Sequence, residues 1–354
     1  MRTLLTGDVA EPPIAVLSRD PLQHTMIHRY RVRPIHLGDV GTVDGGTLLE
    51  WIHRAARAAA VRWSGHRCVA ASMSNFHLDR PIRIGESVAV HACLVYARRS
   101  SLHILVTIYA GDPADAHAVR SAQCPIVFVA VDDLGDPVAV QPWTPVTMLE
   151  LQREHQARVR IRTRTQIEDA IAAQTYTAGG AAPRITRHIL VCRADVRSDG
   201  VLHGGRIMRW IDEAANAAAT DWCGVAGLTA YVATIRFCRT LTVGDQLDLS
   251  ARILHTGPRS VHVGVCVIAS DMVTGATCVA AEGLLVVASL DEQGKARRVR
   301  QWTPGCDDDI RLDRHARHLV ALRGFFEPYP VAAGSAAALN AASKNSSSRR
   351  IARR

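Results

Sequence analysis

Gly200–Ala219 reads GVLHGGRIMRWIDEAANAAA, and the organisation of the chain follows outward from it. A Gly-Gly pair makes a tight turn and runs straight into a helical pattern. Ile207, Ile211, Ala214, Ala215 and Ala218 recur at the i, i+4, i+7, i+8 spacing of a buried helix face. The last turns are almost pure alanine, which lets a sheet approach closely. Asp212 lies one turn from Met208 and three residues before Ala215, on the border of the apolar stripe. A carboxylate placed there needs a partner or a task.

The same stretch occurs earlier, at Gly41–Ala60, as GTVDGGTLLEWIHRAARAAA. The offset is 159 residues, and it holds downstream without slipping. Trp63 returns as Trp222, Arg80 as Arg239, Gly85 as Gly244, Ser101 as Ser260 and His103 as His262. Trp143-Thr144-Pro145 returns as Trp302-Thr303-Pro304. A fixed-period recurrence of this kind is a duplicated module.

In each copy a short strand precedes the helix and four strand-like runs follow it. In the first copy these are about 26–33, a helix to about 62, then 68–78, 87–96, 102–110 and 118–131. In the second they are about 185–193, 228–238, 246–255, 261–270 and 277–290, with the helix at 204–219. One sheet with one central helix predicts an α+β layer arrangement. The domain plan is an irregular N-terminus at 1–25, domain 1 at 26–145, a charged helix and linker at 146–184, and domain 2 at 185–304. A C-terminal helix at 305–330 and a disordered tail at 331–354 complete it. The connecting helix (LELQREHQARVRIRTRTQIEDAIAAQ) reads as an exposed, solvated charged face.

The 354 residues suit two domains. Net charge is +9 and the pI about 9.4. Lys295 and Lys344 are the only lysines among 42 basic residues, and the arginines are spread over both modules. With aromatic residues at 5%, no basic-aromatic pattern argues for nucleic acid. A basic surface suits a phosphorylated ligand. Nine cysteines form no CxxC, and Cys93, Cys124, Cys192, Cys238, Cys266 and Cys278 fall in apolar runs. They read as buried small hydrophobes in a reducing compartment. No metal-ligand spacing and no GxSxG nucleophile signature is present. Neither a signal-peptide run nor a membrane-length apolar stretch appears, so the expected location is the cytoplasm.

Taken together, Gly-x-x-x-Gly-Gly twice, LLEWIHRAA and IMRWIDEAA, CVAASM at 68–73, RPIRIGE at 80–86, RSSLHILV at 99–106, RTLTVGD at 239–245 and RSVHVGV at 259–265 resemble the tandem-hotdog cytosolic acyl-CoA thioesterases. The resemblance covers most of 26–145 and 185–304. It implies two hotdog domains, each an antiparallel sheet wrapped around a long central helix, paired side by side into one sheet. It implies hydrolysis of fatty acyl-CoA to free acid and CoA, with coenzyme A entering only as part of the substrate and no cofactor or metal. Active sites would form at the seam. One helix would supply a general base for water, and the opposite turn a group that orients the water. Amides at the helix start would hold the oxyanion.

Carried over residue by residue, the resemblance makes Asp212 the base, with Thr42 where the family usually has Asn or Asp. Asp44 stands where the family often has His, and Gly45 and Gly46 are the oxyanion turn. Arg99, Ser101, Arg259 and Ser260 match positions that contact coenzyme A. The second composite site would combine His53 with Val201, which offers no polar group, and reads as dead for hydrolysis. From their sequence context alone, Asp44 and Thr42 could instead cap the helix, and His53 could be a satisfied buried histidine. The family also implies a homo-oligomer, a trimer of two-module chains. The rival functions are a non-catalytic acyl-CoA sensor, an enoyl-CoA hydratase lacking here its Asp/His motif, and a nucleic-acid binder.

Overall fold

The computed structural model describes residues 24–112, 118–174, 176, 179–271, 275–291, 294–323 and 328–330. The expected irregular N-terminus up to residue 23 and the expected disordered tail from 331 lie outside them. The first module is β1 (Thr25–Arg31), α1 (Gly45–Ser64), β2 (Arg67–Leu78), β3 (Ser87–Arg98), β4 (Ser101–Gly111) and β5 (Val119–Val131). A long helix, α2 (Met148–Ala172), leads to the second module. That module is β6 (Arg184–Leu190), α3 (Gly204–Cys223), β7 (Gly227–Phe237), β8 (Gln246–Thr256), β9 (Ser260–Ser270) and β10 (Thr277–Ser289), and α4 (Asp307–Arg323) follows it.

The strands form one ten-stranded sheet in the order β1-β3-β4-β5-β2-β7-β10-β9-β8-β6. The second half repeats the first in reverse, so a pseudo-twofold axis passes between β2 and β7. These two strands pair antiparallel, with Ser72 opposite Arg236 and Ser74 opposite Thr234. The Thr234 hydroxyl donates to the Met73 carbonyl at 3.0 Å, and the Tyr231 hydroxyl to Asn75 Oδ1 at 2.6 Å. Each half is thus the antiparallel sheet around a central helix that defines a hotdog, and the two halves share one sheet.

Local chemistry fixes the helices. Asp44 caps α1, its carboxylate accepting from Thr47 N at 2.6 Å, and Gly65 ends it at φ 71°. Gly224 ends α3 in the same way at φ 69°. Ala55, Ala56, Ala59 and Ala60 in α1, and Ala214, Ala215, Ala218 and Ala219 in α3, are buried. With no side chain beyond Cβ, they let both helices lie close to one face of the sheet and to each other.

The other face is covered too. Alternate strand residues point away from α1 and α3: Val95 beside Leu94, Leu254 beside Ile253, Leu284 beside Leu285. Ile167 and Ile171 of α2 and Leu312, Ala316 and Leu319 of α4 pack on this second face, while Ala157 of α2 covers Val95 and Leu105. The connecting helix is therefore not the solvated face that its charge suggests. A sheet apolar on both faces needs two covers, and α2 contributes a few apolar residues among many charges. The buried Arg252 of β8 bonds to Asp309 and anchors α4.

Three of the six strand cysteines also depart from expectation. Cys93, Cys124 and Cys266 are buried, but Cys192, Cys238 and Cys278 are exposed. The last three lie just past or at the end of a strand, where the chain leaves the covered sheet.

Candidate active site

The pseudo-twofold sets the start of each helix against the middle of the other. Positions 45 and 204 are equivalent, as are 53 and 212, so Gly45 faces Asp212 and Gly204 faces His53. A Cβ on Gly45 would lie 2.5 Å from Asp212 Oδ1, and one on Gly204 would overlap His53 Nε2. Both turns need glycine because a polar side chain of the opposite helix occupies the space. Gly46 is equally tight, since a Cβ there would meet Arg209 Cγ at 2.8 Å.

Asp212 is 2% exposed. Its Oδ2 accepts from Asn216 Nδ2 at 3.2 Å, and Asn216 Nδ2 also donates to Thr229 Oγ1 at 2.9 Å. The Thr229 hydroxyl and the Gly46 amide favour the ionised carboxylate. Burial works against it more strongly, aided by Asp44 and Glu213, and the carboxyl is pushed up to about 7. Among the described residues, Oδ1 is buried with no hydrogen-bond partner, and so is the Oγ1 of Thr42 on the opposite turn. A buried acceptor and a buried hydroxyl left open on facing elements are what a positioned water would satisfy.

Of the residues expected here, the structure brings Asp212 together with the Gly45-Gly46 turn. Asp44 is on the same turn, but its carboxylate is engaged by Thr47 N at 2.6 Å and Thr47 Oγ1 at 2.7 Å. It caps α1 and acts on Asp212 through its charge. The Gly46 N–H favours the Asp212 anion, and the Gly45 N–H meets no acceptor among the described residues. Arg99 and Ser101 lie at the β3–β4 turn and Arg259 and Ser260 at the β8–β9 turn. Both arginines are exposed. Ser101 Oγ donates to the Arg98 carbonyl at 3.0 Å, and Ser260 Oγ lies 3.4 Å from His262 Nε2. Sequence reading missed Asn216 and Thr229. Asn216 is one turn after Asp212 on the same helix face, a spacing that could have revealed it. Thr229 is brought in only by the pairing of β7 under α3.

The mirror site is built differently. His53 is 2% exposed, and burial drives its imidazole down to about 3, with His203, Arg57, Arg197 and Arg54 acting in the same direction. It is neutral at physiological pH. Arg57 replaces Asn216, and Ala70 replaces Thr229. A cavity of about 270 Å³ opens here, bordered by His53, Ala70, Val201 and Gly204.

Comparison with known proteins agrees with this architecture. The model of the family described as "Thioesterase superfamily" matches residues 40–117 and again 199–276, two stretches whose starts are 159 residues apart. The chain belongs to the thioesterase superfamily. Within it, the cytosolic acyl coenzyme A thioester hydrolase of Mus musculus is 25% identical over 324 residues, 84% of each chain. Acyl-coenzyme A thioesterase 11 and the acetyl-coenzyme A thioesterase of the same organism are 27% and 26% identical over 67% and 79% of this chain. The chain spans 42% and 54% of the length of those two relatives. A putative oleoyl thioesterase of Lactobacillus plantarum, 11% identical, aligns with a TM-score of 0.54 over 75% of this chain and 97% of its own, a likeness of fold.

Proposed function

We propose that the chain hydrolyses acyl-CoA thioesters at the seam between its two modules, with Asp212 as general base. The observation that carries this reading is the buried Asp212 carboxyl, held at about 7 with an open Oδ1 against the Gly45-Gly46 turn. A base that titrates near neutrality is half-ionised where it works and can accept a proton from water in hydrogen-bond reach. Thr42 Oγ1 orients that water from the facing turn. As the water attacks the thioester carbonyl, its proton passes to Asp212 and the carbonyl oxygen gains negative charge. The Gly45 N–H, at the positive end of α1, stabilises that charge. Collapse of the tetrahedral intermediate expels the CoA thiolate, which takes a proton, and leaves the carboxylic acid. Asn216, itself bonded to Thr229, holds the carboxylate in place. Arg99, Ser101, Arg259 and Ser260 remain candidates for contacts with coenzyme A. Among the described residues the sheet ends in two edge strands, β1 and β6, which supports assembly of several copies through those edges.

Thiol release from acyl-CoAs of two to sixteen carbons, with wild type and Asp212→Asn, tests the reading. The wild type turns over, the variant does not, and the panel names the preferred acyl chain. A wild type that binds acyl-CoA without releasing thiol would instead identify a sensor.

A further inference from the structure

Beside the base, α3 sends a second polar side chain into the seam. Arg209 lies three residues before Asp212, on the same face of the helix. Asp212 occupies the space beside Gly45, and the stem of Arg209 occupies the space beside Gly46. A Cβ on Gly46 would meet Arg209 Cγ at 2.8 Å and its Cα at 3.2 Å. The guanidinium then reaches past the turn into α1. One terminal nitrogen donates to Thr47 Oγ1 at 2.5 Å and lies 3.2 Å from Glu50 Oε2. Thr47 Oγ1 donates in turn to Asp44 Oδ2 at 2.7 Å, while Asp44 Oδ1 accepts from Thr47 N at 2.6 Å. Thr47 is 1% exposed. The bonds run in one direction, from guanidinium to hydroxyl to carboxylate, so each polarises the next.

Among the described residues the mirror end has no such chain. The equivalents of Arg209, Thr47 and Asp44 are Glu50, Arg206 and His203. His203 caps α3 without a side-chain bond. Arg206 turns instead to Asp195, with Nε 3.0 Å from Oδ1, and its nearest nitrogen is 3.9 Å from Glu50. A relay needed only to hold α1 against α3 would serve equally well at either end, yet it stands only at the end that carries Asp212. We infer that Arg209 is a positioning residue of the hydrolysis, locking the Gly45-Gly46 turn and the Asp44 cap of the first module in register with the base on its own helix. This inference rests on the proposed reaction at Asp212. The base and the Gly45 N–H belong to different modules, and no backbone bond links them. Their separation is therefore set by side chains that cross the seam. An oxyanion donor serves only when it is placed to within a fraction of an ångström. Arg209 supplies that placement through its stem on Gly46 and its bond to Thr47, one turn of α3 away from the carboxylate.

Steady-state thiol release by the full chain tests it, with octanoyl-CoA as substrate. Arg209→Met keeps an apolar stem and removes the donors. It lowers kcat about tenfold or more and leaves KM within about twofold, the pattern of a misplaced transition-state contact. Arg209→Lys stays within about threefold of wild type, because a single terminal nitrogen makes both contacts and an ammonium can replace it. Glu50→Gln breaks the ion pair, leaves the bond to Thr47 and turns over at the wild-type rate. Thr47→Val interrupts the chain at its middle and matches the loss of Arg209→Met. The double variant is no slower than either single one, since both cut the same chain. Should Arg209→Met fail to fold, Thr47→Val against Glu50→Gln carries the test. A wild-type kcat in Arg209→Met or Thr47→Val, a loss in Arg209→Lys as large as in Arg209→Met, or an equal loss in Glu50→Gln overturns the inference. Asp212→Asn is read in the same assay. If Asp212→Asn abolishes release and Arg209→Met does not lower it, this inference fails alone. If Asp212→Asn keeps the wild-type rate, the catalytic reading itself has failed.

Discussion

At one end of the α1–α3 seam a carboxylate, Asp212, lies among Asp44, Glu213 and Asn216. At the other a neutral imidazole, His53, lies among Arg54, Arg57 and Arg197. These are the same positions of one module, repeated 159 residues apart. In a dimer of identical modules, a twofold axis makes the two ends of the seam identical and sets residues at the axis against their own copies. Fusion removes that constraint. Glu50 and Arg209 are equivalent positions, and they meet as an ion pair at 3.2 Å where identical modules would set like charges together. Arg54 and Glu213 show the same inversion. Once the copies differ near the axis, the two ends acquire different surroundings. A buried carboxylate among acids is raised toward neutrality and becomes a base, while a buried histidine among arginines is held neutral.

The sharpest way to break this comparison is to mutate both ends. Asp212→Asn should lower the rate of thiol release by at least ~100-fold, the usual contribution of a general base, while His53→Gln should leave it near wild type. Equal losses would mean that the ends are not functionally distinct. The paired turns come next. Gly45→Ala and Gly204→Ala each force a Cβ against the facing side chain and should lower the unfolding free energy read from urea curves by about 1–3 kcal/mol. Only Gly45→Ala should also lower kcat, by ~100-fold if Asp212 is displaced by about an ångström.

The pH dependence sharpens the contrast further. Thiol release should rise with pH through about 7 as Asp212 ionises, and this limb should vanish in Asp212→Asn. Stability moves the other way. The carboxyl is raised from 3.8 to about 7, so the folded state holds a proton that the unfolded chain releases. Its contribution is therefore present at acid pH and lost as pH climbs through about 7. Asp212→Asn should gain up to a few kcal/mol over wild type between pH 5 and pH 8, read as a Tm difference that widens with pH. A constant difference would mean that the carboxyl titrates in its ordinary range. The smallest effect concerns the axis itself. Glu50→Arg alone should cost about 1 kcal/mol, and the double exchange with Arg209→Glu should restore most of it. Additive losses would show that the pair is not coupled.

Much of this was legible in particular residues. Gly45-Gly46 and Gly204-Gly205 announce close backbone approach, the alanine runs announce a helix pressed on a sheet, and Asp212 stands out as a charge beside an apolar stripe. Asp44 was legible as a helix cap. The second face of the sheet was harder to read. Leu284, Leu285 and Val286 form a continuous apolar run, which signals burial on both sides, yet the covering helix α2 carries that contact on a few residues among charges. Thr229 was not legible, because only strand pairing places it under Asp212.

The sequence by itself determined that one module occurs twice, that each copy wraps a sheet around a helix, and that the copies differ at 53 and 212. Those conclusions rest on local periodicity and on a fixed offset, which survive without coordinates. The meeting of Asp212 with the turn of the other module was implied by the family resemblance, and the tertiary structure alone decided that its neighbours raise its carboxyl. It also decided that the mirror end keeps a cavity beside His53 with an apolar wall. Burial and electrostatic fields depend on distances between segments far apart in the chain, and only the packing of α1 against α3 under one sheet sets those distances.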